Sequence, residues 1–329
     1  MKGIVFLTVL LLAATATALL VGQVPLGPGA LWQGLVGGDG PAALTLRVLR
    51  APRVAVALGT GAALGLSGAV FQILFRNPLA SPDLMGFTAG SGLAILLGVT
   101  LGWSLPYPLL AALGGLGAAL VVAAAVSGNA DGSLEGTPAL RLVLVGIGIG
   151  FTAAALGTFL MTRLSGPQAS EAHRWLTGSL TARTWLHGAQ VWLVGGVLTL
   201  LLVPQVRALR LLQLGPDLAQ GLGTRVSRSR WALAATGVGL AAIAVAVAGP
   251  VAFVALMAPP LGTRLVGAAS PEARLASAAG AGALVVVLAD LVSRAAVPGF
   301  ALPIGALTGL LGAPYLLWRL WREMERGEL

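Results

Sequence analysis

About ten apolar runs, most of them close to the length of a bilayer-crossing helix, occupy most of this chain. They lie at 3–22, 54–74, 84–103, 107–127, 139–162, 187–204, 231–249, 250–267, 275–293 and 301–320. A spanning helix needs about 20 mainly apolar residues, and a water-soluble fold would have to hide every one of these runs from solvent. Only 9% of the residues are charged, against roughly 25% in a soluble domain. Most of the surface therefore faces lipid. The fold class that follows is an all-α integral membrane protein with about ten transmembrane helices.

Two of the runs need comment. The first, behind Lys2, resembles a signal peptide. It is too long for one and lacks a compact apolar core followed by a clean cleavage site, Ala14 to Ala18 being the nearest mimic. An uncleaved first span is expected. The run 250–267 contains Pro250, Pro259 and Pro260. Proline breaks the hydrogen-bond ladder of a helix, so this segment is expected to lie against protein rather than lipid.

The net charge of +9 does not point to nucleic acid. Basic residues are scattered between apolar runs, whereas a nucleic-acid binder gathers them on one polar face. Their distribution instead orients the chain, because cytoplasmic connections carry the excess of Lys and Arg. With the N-terminus inside, Lys2 and twelve arginines fall on the cytoplasmic side: Arg76, Arg141, Arg207, Arg210, Arg225, Arg228, Arg230, Arg264, Arg274, Arg319, Arg322 and Arg326. Arg47, Arg50, Arg53, Arg163, Arg174, Arg183 and Arg294 fall outside. Both termini are thus expected in the cytoplasm. The outside cluster Arg47, Arg50 and Arg53 opposes the rule, and charge alone leaves two readings open: docking of an acidic partner or contact with lipid phosphates.

Several chemistries are excluded. The chain has no cysteine, so disulfides and thiolate chemistry are ruled out. Its two histidines, His173 and His187, sit in no His/carboxylate cluster of the kind a metal site needs. A nucleotide-binding P-loop requires Gly-Lys-Ser/Thr, and the sole lysine is Lys2. The 47 glycines, including Gly59, Gly61, Gly65 and Gly68 in one run and Gly146, Gly148 and Gly150 in another, read as close helix packing in lipid.

The long polar connection at 204–230 contains Gly215-Pro216-Asp217, which suits a helix start: proline in the first turn, then an acid at the positive dipole end. Gly221 and Gly223 suit its stop. A capped helix of about two turns, flanked by arginines, is expected on the cytoplasmic face. It could anchor to anionic lipid or enter a groove on a cytoplasmic partner. Its shortness and its two caps favour the knob.

Five blocks then resemble the FecCD/BtuC family of ABC-importer permeases for iron-siderophores, haem and cobalamin. They are Leu49-Arg50-Ala51-Pro52-Arg53; Ser67-Gly68 with Phe75-Arg76-Asn77-Pro78-Leu79-Ala80-Ser81-Pro82-Asp83-Leu84-Met85-Gly86; Leu211 to Gly223; Ala248-Gly249-Pro250-Val251-Ala252-Phe253-Val254 with Pro259 and Arg264; and Leu302-Pro303-Ile304-Gly305 through Gly312-Ala313-Pro314-Tyr315. Their order and spacing hold from about residue 45 to the C-terminus. The resemblance implies a BtuC-like permease fold of ten helices, a single transmembrane domain over 1–329 with a coupling loop at about 205–230. It implies a multi-pass location in the bacterial cytoplasmic (inner) membrane. The partners it implies are a second permease subunit (an identical copy or close paralogue), two cytoplasmic ATPase subunits and an extracytoplasmic solute-binding protein. ATP and its magnesium ion would belong to the ATPase, with no cofactor on this chain. Arg50, Arg53 and Arg294 match the family's binding-protein docking arginines, which favours docking over lipid. Asp290, four residues before Arg294, can hold it by an i,i+4 pair. Asp217, Leu218, Ala219, Leu222 and Gly223 match the coupling helix, with Arg225 and Arg228 at its rim. The family usually has Pro-His where this chain has Pro259-Pro260.

A ferric siderophore is the expected cargo on family frequency, with cobalamin and haem next. Two competing classes fit less well. A membrane-embedded enzyme needs clustered acids or a paired acid and base, and Asp290 is the only carboxylate well inside an apolar run. An ion-coupled secondary transporter should show inverted repeats and intramembrane charges, and neither is apparent.

Overall fold

The structure is a computed structural model that describes residues 2–22, 40–127, 138–296 and 302–325, with 26, 27, 29, 32 and 36 as single positions. Arg326 lies outside the described residues, as do the side chains of Leu84, Met85 and Arg141. Thirteen helices run through the described residues, and no strand forms among them. They are α1 (Lys2–Leu20), α2 (Pro41–Leu74), α3 (Phe87–Thr100), α4 (Tyr107–Ser127), α5 (Pro138–Met161), α6 (Gly166–Leu176), α7 (Trp185–Leu202), α8 (Val206–Leu212), α9 (Pro216–Gly221), α10 (Val226–Ala248), α11 (Val254–Val266), α12 (Pro271–Ala295) and α13 (Ile304–Glu325). Seven, namely α1, α2, α4, α5, α7, α10 and α12, are long and apolar enough to cross a membrane, while α3 and α11 are shorter apolar helices. With α13, each apolar run read from the sequence falls on one helix. Helix α6 was not anticipated. It is short and polar, and starts at a Ser165/Gln168 capping box.

Helix α2 is the hub, packed against α12, α10, α11 and α7. Its glycines set how close the neighbours come. A Cβ on Gly61 would lie 2.3 Å from the Gly282 carbonyl oxygen of α12, and one on Gly65 would lie 2.1 Å from that of Ala278. In lipid, burial of apolar area does not drive helices together, so backbone-to-backbone contact of this kind carries the packing. Two glycines of α5 differ: among the described residues nothing lies within 4 Å of a Cβ built on Gly148 or Gly150, whereas one on Gly157 would lie 3.1 Å from Leu96.

Helix α11 shows why its two prolines are tolerated. Neither proline has an N–H, so the carbonyls of Ala255 and Leu256, four residues earlier, lose their helical donors. Both are answered by α2. Gln72 Nε2 donates to Leu256 O at 3.0 Å, and the Ala255 carbonyl lies so close over Gly68 that a Cβ there would be 1.8 Å away, the setting of a Cα–H···O contact. The family's usual histidine at 260 would keep one N–H in the ladder. Here Gln72 supplies it instead. Pro52 in α2 works the same way. The segment Thr45–Arg50 is wound as a π-helix, with Ala51 N–H reaching Leu46 O. In that register Pro52 leaves the Arg47 carbonyl unfilled, and Trp185 Nε1 of α7 donates to it at 3.0 Å.

Where helices break within the bundle, the breaks meet each other. The stretch of chain after α6 is joined to the end of α10 and the start of α13 by backbone bonds: Ser179 N to Ala248 O at 2.9 Å, Ile304 N to Gly178 O at 3.2 Å and Gly305 N to Thr177 O at 3.2 Å. Gly178 and Gly249 both have positive φ there, and a Cβ on Gly178 would sit 2.2 Å from Pro250 O. Non-helical backbone at membrane depth persists only when protein satisfies it in this way.

Candidate functional site

Two features lie at opposite ends of the bundle. One end holds Arg50, Arg53, Asp290 and Arg294 around the C-terminus of α1. A helix leaves its last carbonyls unpaired and carries a partial negative charge there. Arg50 Nη1 donates to Leu19 O at 2.9 Å and to Leu20 O at 2.6 Å. Arg294 Nη2 donates to Ala18 O at 2.9 Å and Nη1 to Val21 O at 3.3 Å. Two guanidinium groups therefore cap one helix end. Asp290 ties the cluster together: its Oδ1 accepts from Arg53 Nε at 2.7 Å, and its Oδ2 lies 3.1 Å from Arg294 Nε. That second contact is close in charge but misaligned for a hydrogen bond. The expected i,i+4 pair of Asp290 and Arg294 is present, and Arg53 joins it from α2. Arg50 is 6% exposed, Arg294 9% and Asp290 1%. The structure thus brings all three candidate docking arginines into one site, in which Arg50 and Arg294 also hold α1. Arg47 contributes its carbonyl, through Trp185.

The other end holds the connection between α7 and α10. The N-terminal turn of α1 belongs to this end, since a Cβ on Gly3 would meet Leu265 O at 2.6 Å. So does the second half of α13, where Trp318 lies under the guanidinium of Arg264 at 4.9 Å. Helix α8 is pinned on both sides. Arg76, at φ +50°, donates to Leu212 O at 2.7 Å, and Arg210 pairs with Glu272 at the start of α12. Helix α9 then begins after Gly215, at φ +113°, with Pro216 in its first turn. It is one and a half turns long and ends at Gly221, two residues before the expected limit. Gly223 at φ +83° terminates it: Gly223 N–H bonds Gln220 O at 2.9 Å and Thr224 N–H bonds Ala219 O at 2.9 Å, the Schellman arrangement. Of the candidate coupling residues, Leu218 is 62% exposed and Leu222 57%, while Ala219 is fully buried. Ala219 therefore anchors the helix, and the two leucines form its outward apolar face. Asp217 is exposed in the first turn.

The partners of Arg76, Gln72, Trp185 and Arg210 are not marked in the sequence, which places Arg76 and Arg210 only on the cytoplasmic side, because each acts on a partner distant in the chain. Asp83, in the 3-10 turn Pro82–Met85, is half-buried, and its carboxylate accepts a hydrogen bond from the Thr88 hydroxyl. Burial raises its pKa above the ordinary value, and the hydroxyl offsets part of that rise. Among the described residues no group of three or more His, Cys, Asp or Glu side chains could hold a metal ion.

A ten-run helical bundle with a clamped knob at one end and a cationic cluster at the other has known counterparts. Residues 10–322 match the FecCD transport family. The chain belongs to that family. It is 38% identical over 296 residues to the ferric enterobactin transport system permease protein FepG of Escherichia coli strain K12, covering 88% of this chain and 86% of that one. It is 35% identical to the hemin transport system permease protein HmuU of Yersinia pestis, covering 84% and 83%. A solved inward-facing ABC transporter assigned to the metal-chelate type superposes with a TM-score of 0.83 at 28% identity, over 98% of this chain and all of that one. This FecCD-type chain is a multi-pass membrane permease subunit of an ABC importer, and not an enzyme.

Proposed function

We propose that this chain forms the membrane pathway through which a ferric siderophore, or a similar bulky metal chelate delivered by a solute-binding protein, is imported. The observation that carries the cargo is the run of relatives named for ferric enterobactin, Fe(3+)-citrate and achromobactin transport, at 34–38% identity. A groove of about 310 Å³ between α3, α4 and α5 is lined almost wholly by small and apolar side chains, Thr152 being the one polar group. Such a wall suits passage without tight binding. Cobalamin and haem are the second reading, favoured by 36% identity to a vitamin B12 import permease of Yersinia enterocolitica and 35% to the hemin permease.

In this reading 1–329 is one permease domain, paired with an identical copy or a paralogue and with both termini in the cytoplasm. No cofactor sits on this chain, and ATP with its magnesium ion is held by two separate ATPase subunits. Helix α9 is the joint to them. Asp217 and Gly223 bound it, Ala219 seats it, and Leu218 and Leu222 enter the partner's cleft. Clamping of the preceding helix α8 by Arg76 and by the Arg210–Glu272 pair supports this role, because a loose loop would absorb motion rather than transmit it. Arg50, Arg53 and Arg294 attract the binding protein on the other side. Two guanidinium groups flank one carboxylate there and that of Arg50 lies near Arg294, so their field reaches acidic groups even where the side chains are buried.

The test is ATP-driven uptake into liposomes holding the permease, its ATPase and its binding protein. Uptake of an iron-siderophore and not of cyanocobalamin or haemin is expected. Uptake of cobalamin or haem alone would replace the cargo, and uptake that needs an ion gradient but no ATPase would overturn the reading. Docking is checked separately: Arg53→Gln should weaken binding-protein association and flatten its salt dependence, and unchanged values would refute the arginine assignment.

A further inference from the structure

A second polar site lies beside α9, sharing Leu222 and Gly223 with the coupling helix and Arg225 and Arg228 with its rim. It is a cavity of about 520 Å³ between the end of α7, helix α8 and the start of α10. Arg207, Arg225 and Arg228 line it, together with Gln205, Thr224 and Ser229, and no carboxylate does. The nearby acid Glu272 is paired with Arg210 instead. Three exposed arginines line one hollow with no acid among its lining residues, so the hollow suits an anion. Arginine offers phosphate a planar two-pronged donor.

The surroundings say where that anion comes from. Pro204 and Gln205 close α7, and Ser229 and Ala232 open α10, both of them spanning helices. Next to these residues in the chain, Leu201 is 53% exposed, Val203 63% and Trp231 44%. The cavity therefore sits where two spans leave the apolar layer, and tryptophan is enriched at that depth. An amphipathic ligand with its charged end in the cavity would lay its chains over these apolar side chains. A soluble anion has no use for them. We propose that this cavity holds the phosphate headgroup of an anionic membrane phospholipid. Leu222 and Gly223 form part of its wall, so an occupied cavity stiffens the C-terminal side of α9. The proposal requires only that α7 and α10 span the membrane, and it stands whether or not α9 contacts the ATPase.

The experiment uses the assembled importer in phosphatidylcholine nanodiscs prepared with and without phosphatidylglycerol. Retained phosphatidylglycerol is counted per complex by native mass spectrometry after delipidation. The wild type is expected to retain it. Each basic residue near an anionic bilayer is worth about fivefold in binding, so R207Q/R225Q/R228Q should retain at least about tenfold less. Arg322→Gln, a cation stacked on Trp318 at the same end, should change nothing. Arg228→Glu provides a second route should the triple variant fail to assemble, and it should act in the same direction. Equal retention by these variants and the wild type overturns the proposal. Displacement of the lipid by millimolar inorganic phosphate would assign the site to a free anion and overturn it as well. So would retention by the permease alone that vanishes when the ATPase is added, since the cavity would then be a contact for acidic residues of that subunit.

Discussion

Gln72→Leu tests whether α2 repairs the helix that Pro260 interrupts. In the wild type the Leu256 carbonyl lacks its helical donor because Pro260 has no N–H, and Gln72 Nε2 fills the place at 3.0 Å. Gln72 is 4% exposed and Leu256 7%, so no solvent replaces the lost donor. Leucine has nearly the same volume and adds no charge, so its effect isolates one buried carbonyl. Leaving such a group unsatisfied costs about 1–3 kcal/mol. Pro260→Ala restores the N–H, and Gln72→Leu should then cost little, because the carbonyl is already satisfied. The double-mutant cycle should show a coupling of about 1 kcal/mol or more. Unfolding of the purified protein by dodecyl sulfate in mixed micelles, followed by tryptophan fluorescence, measures all four corners. A Gln72→Leu cost that is the same with Pro260 in place and in the Pro260→Ala background would refute the reasoning. Gln72 would then be a packing residue, and the carbonyl would be cared for elsewhere.

The remaining expectations are as direct. Gly68→Ala places a Cβ against a backbone carbonyl that cannot yield, so it should cost about 1–3 kcal/mol or more by the same unfolding assay. Asp290→Asn leaves the guanidinium groups of Arg53 and Arg294 without their counter-charge, at a cost of about 3–5 kcal/mol, and Arg53→Gln in the same chain should recover part of it. Burial raises the Asp83 pKa above its unfolded value of 3.8, so the folded state binds the proton more tightly. Stability contributed by this group is therefore fully present below the unfolded pKa and is lost as pH rises through the folded one. Asp83→Asn should remove that slope in unfolding measured across pH, and an unchanged slope would contradict it. Leu218→Asp should uncouple ATP hydrolysis from uptake without shifting the melting temperature, whereas Ala219→Asp should lower the melting temperature, because only Ala219 is buried.

The spans were legible because apolar length alone marks a membrane helix, and no periodicity is needed. The end signals of α9 were legible too, since Gly215, Pro216 and Gly223 each have one conformational use. Helix α6 escaped because it is polar and short, although Ser165 three residues before Gln168 is a capping-box signal that could have found it. The candidate site was half legible. The spacing of Asp290 and Arg294 is local and gave their pairing, but Arg53 joins it from 237 residues away. The carbonyls of Ala18, Leu19, Leu20 and Val21 reach the cluster only through the tertiary fold. A carbonyl has no residue identity, so no sequence pattern marks it as an acceptor.

That last point bears on the arginines at large. The count of basic residues on each side of a membrane treats every arginine as a free charge. Arg50 and Arg294 are instead committed in part to backbone: they donate to the carbonyls of Ala18, Leu19, Leu20 and Val21 at the end of α1, of which Leu20 O also accepts from the Leu26 N–H at 3.1 Å. The same need brings Trp185 to the Arg47 carbonyl, Gln72 to that of Leu256 and Arg76 to that of Leu212. In each case a helix that ends or is interrupted borrows a side-chain donor from another element. Arginine is the residue that can do this and still present charge, since five N–H groups are more than one or two carbonyls consume. An arginine cluster that opposes the charge rule can therefore be kept by the fold itself, and its remaining field is then available to a partner without further structural cost.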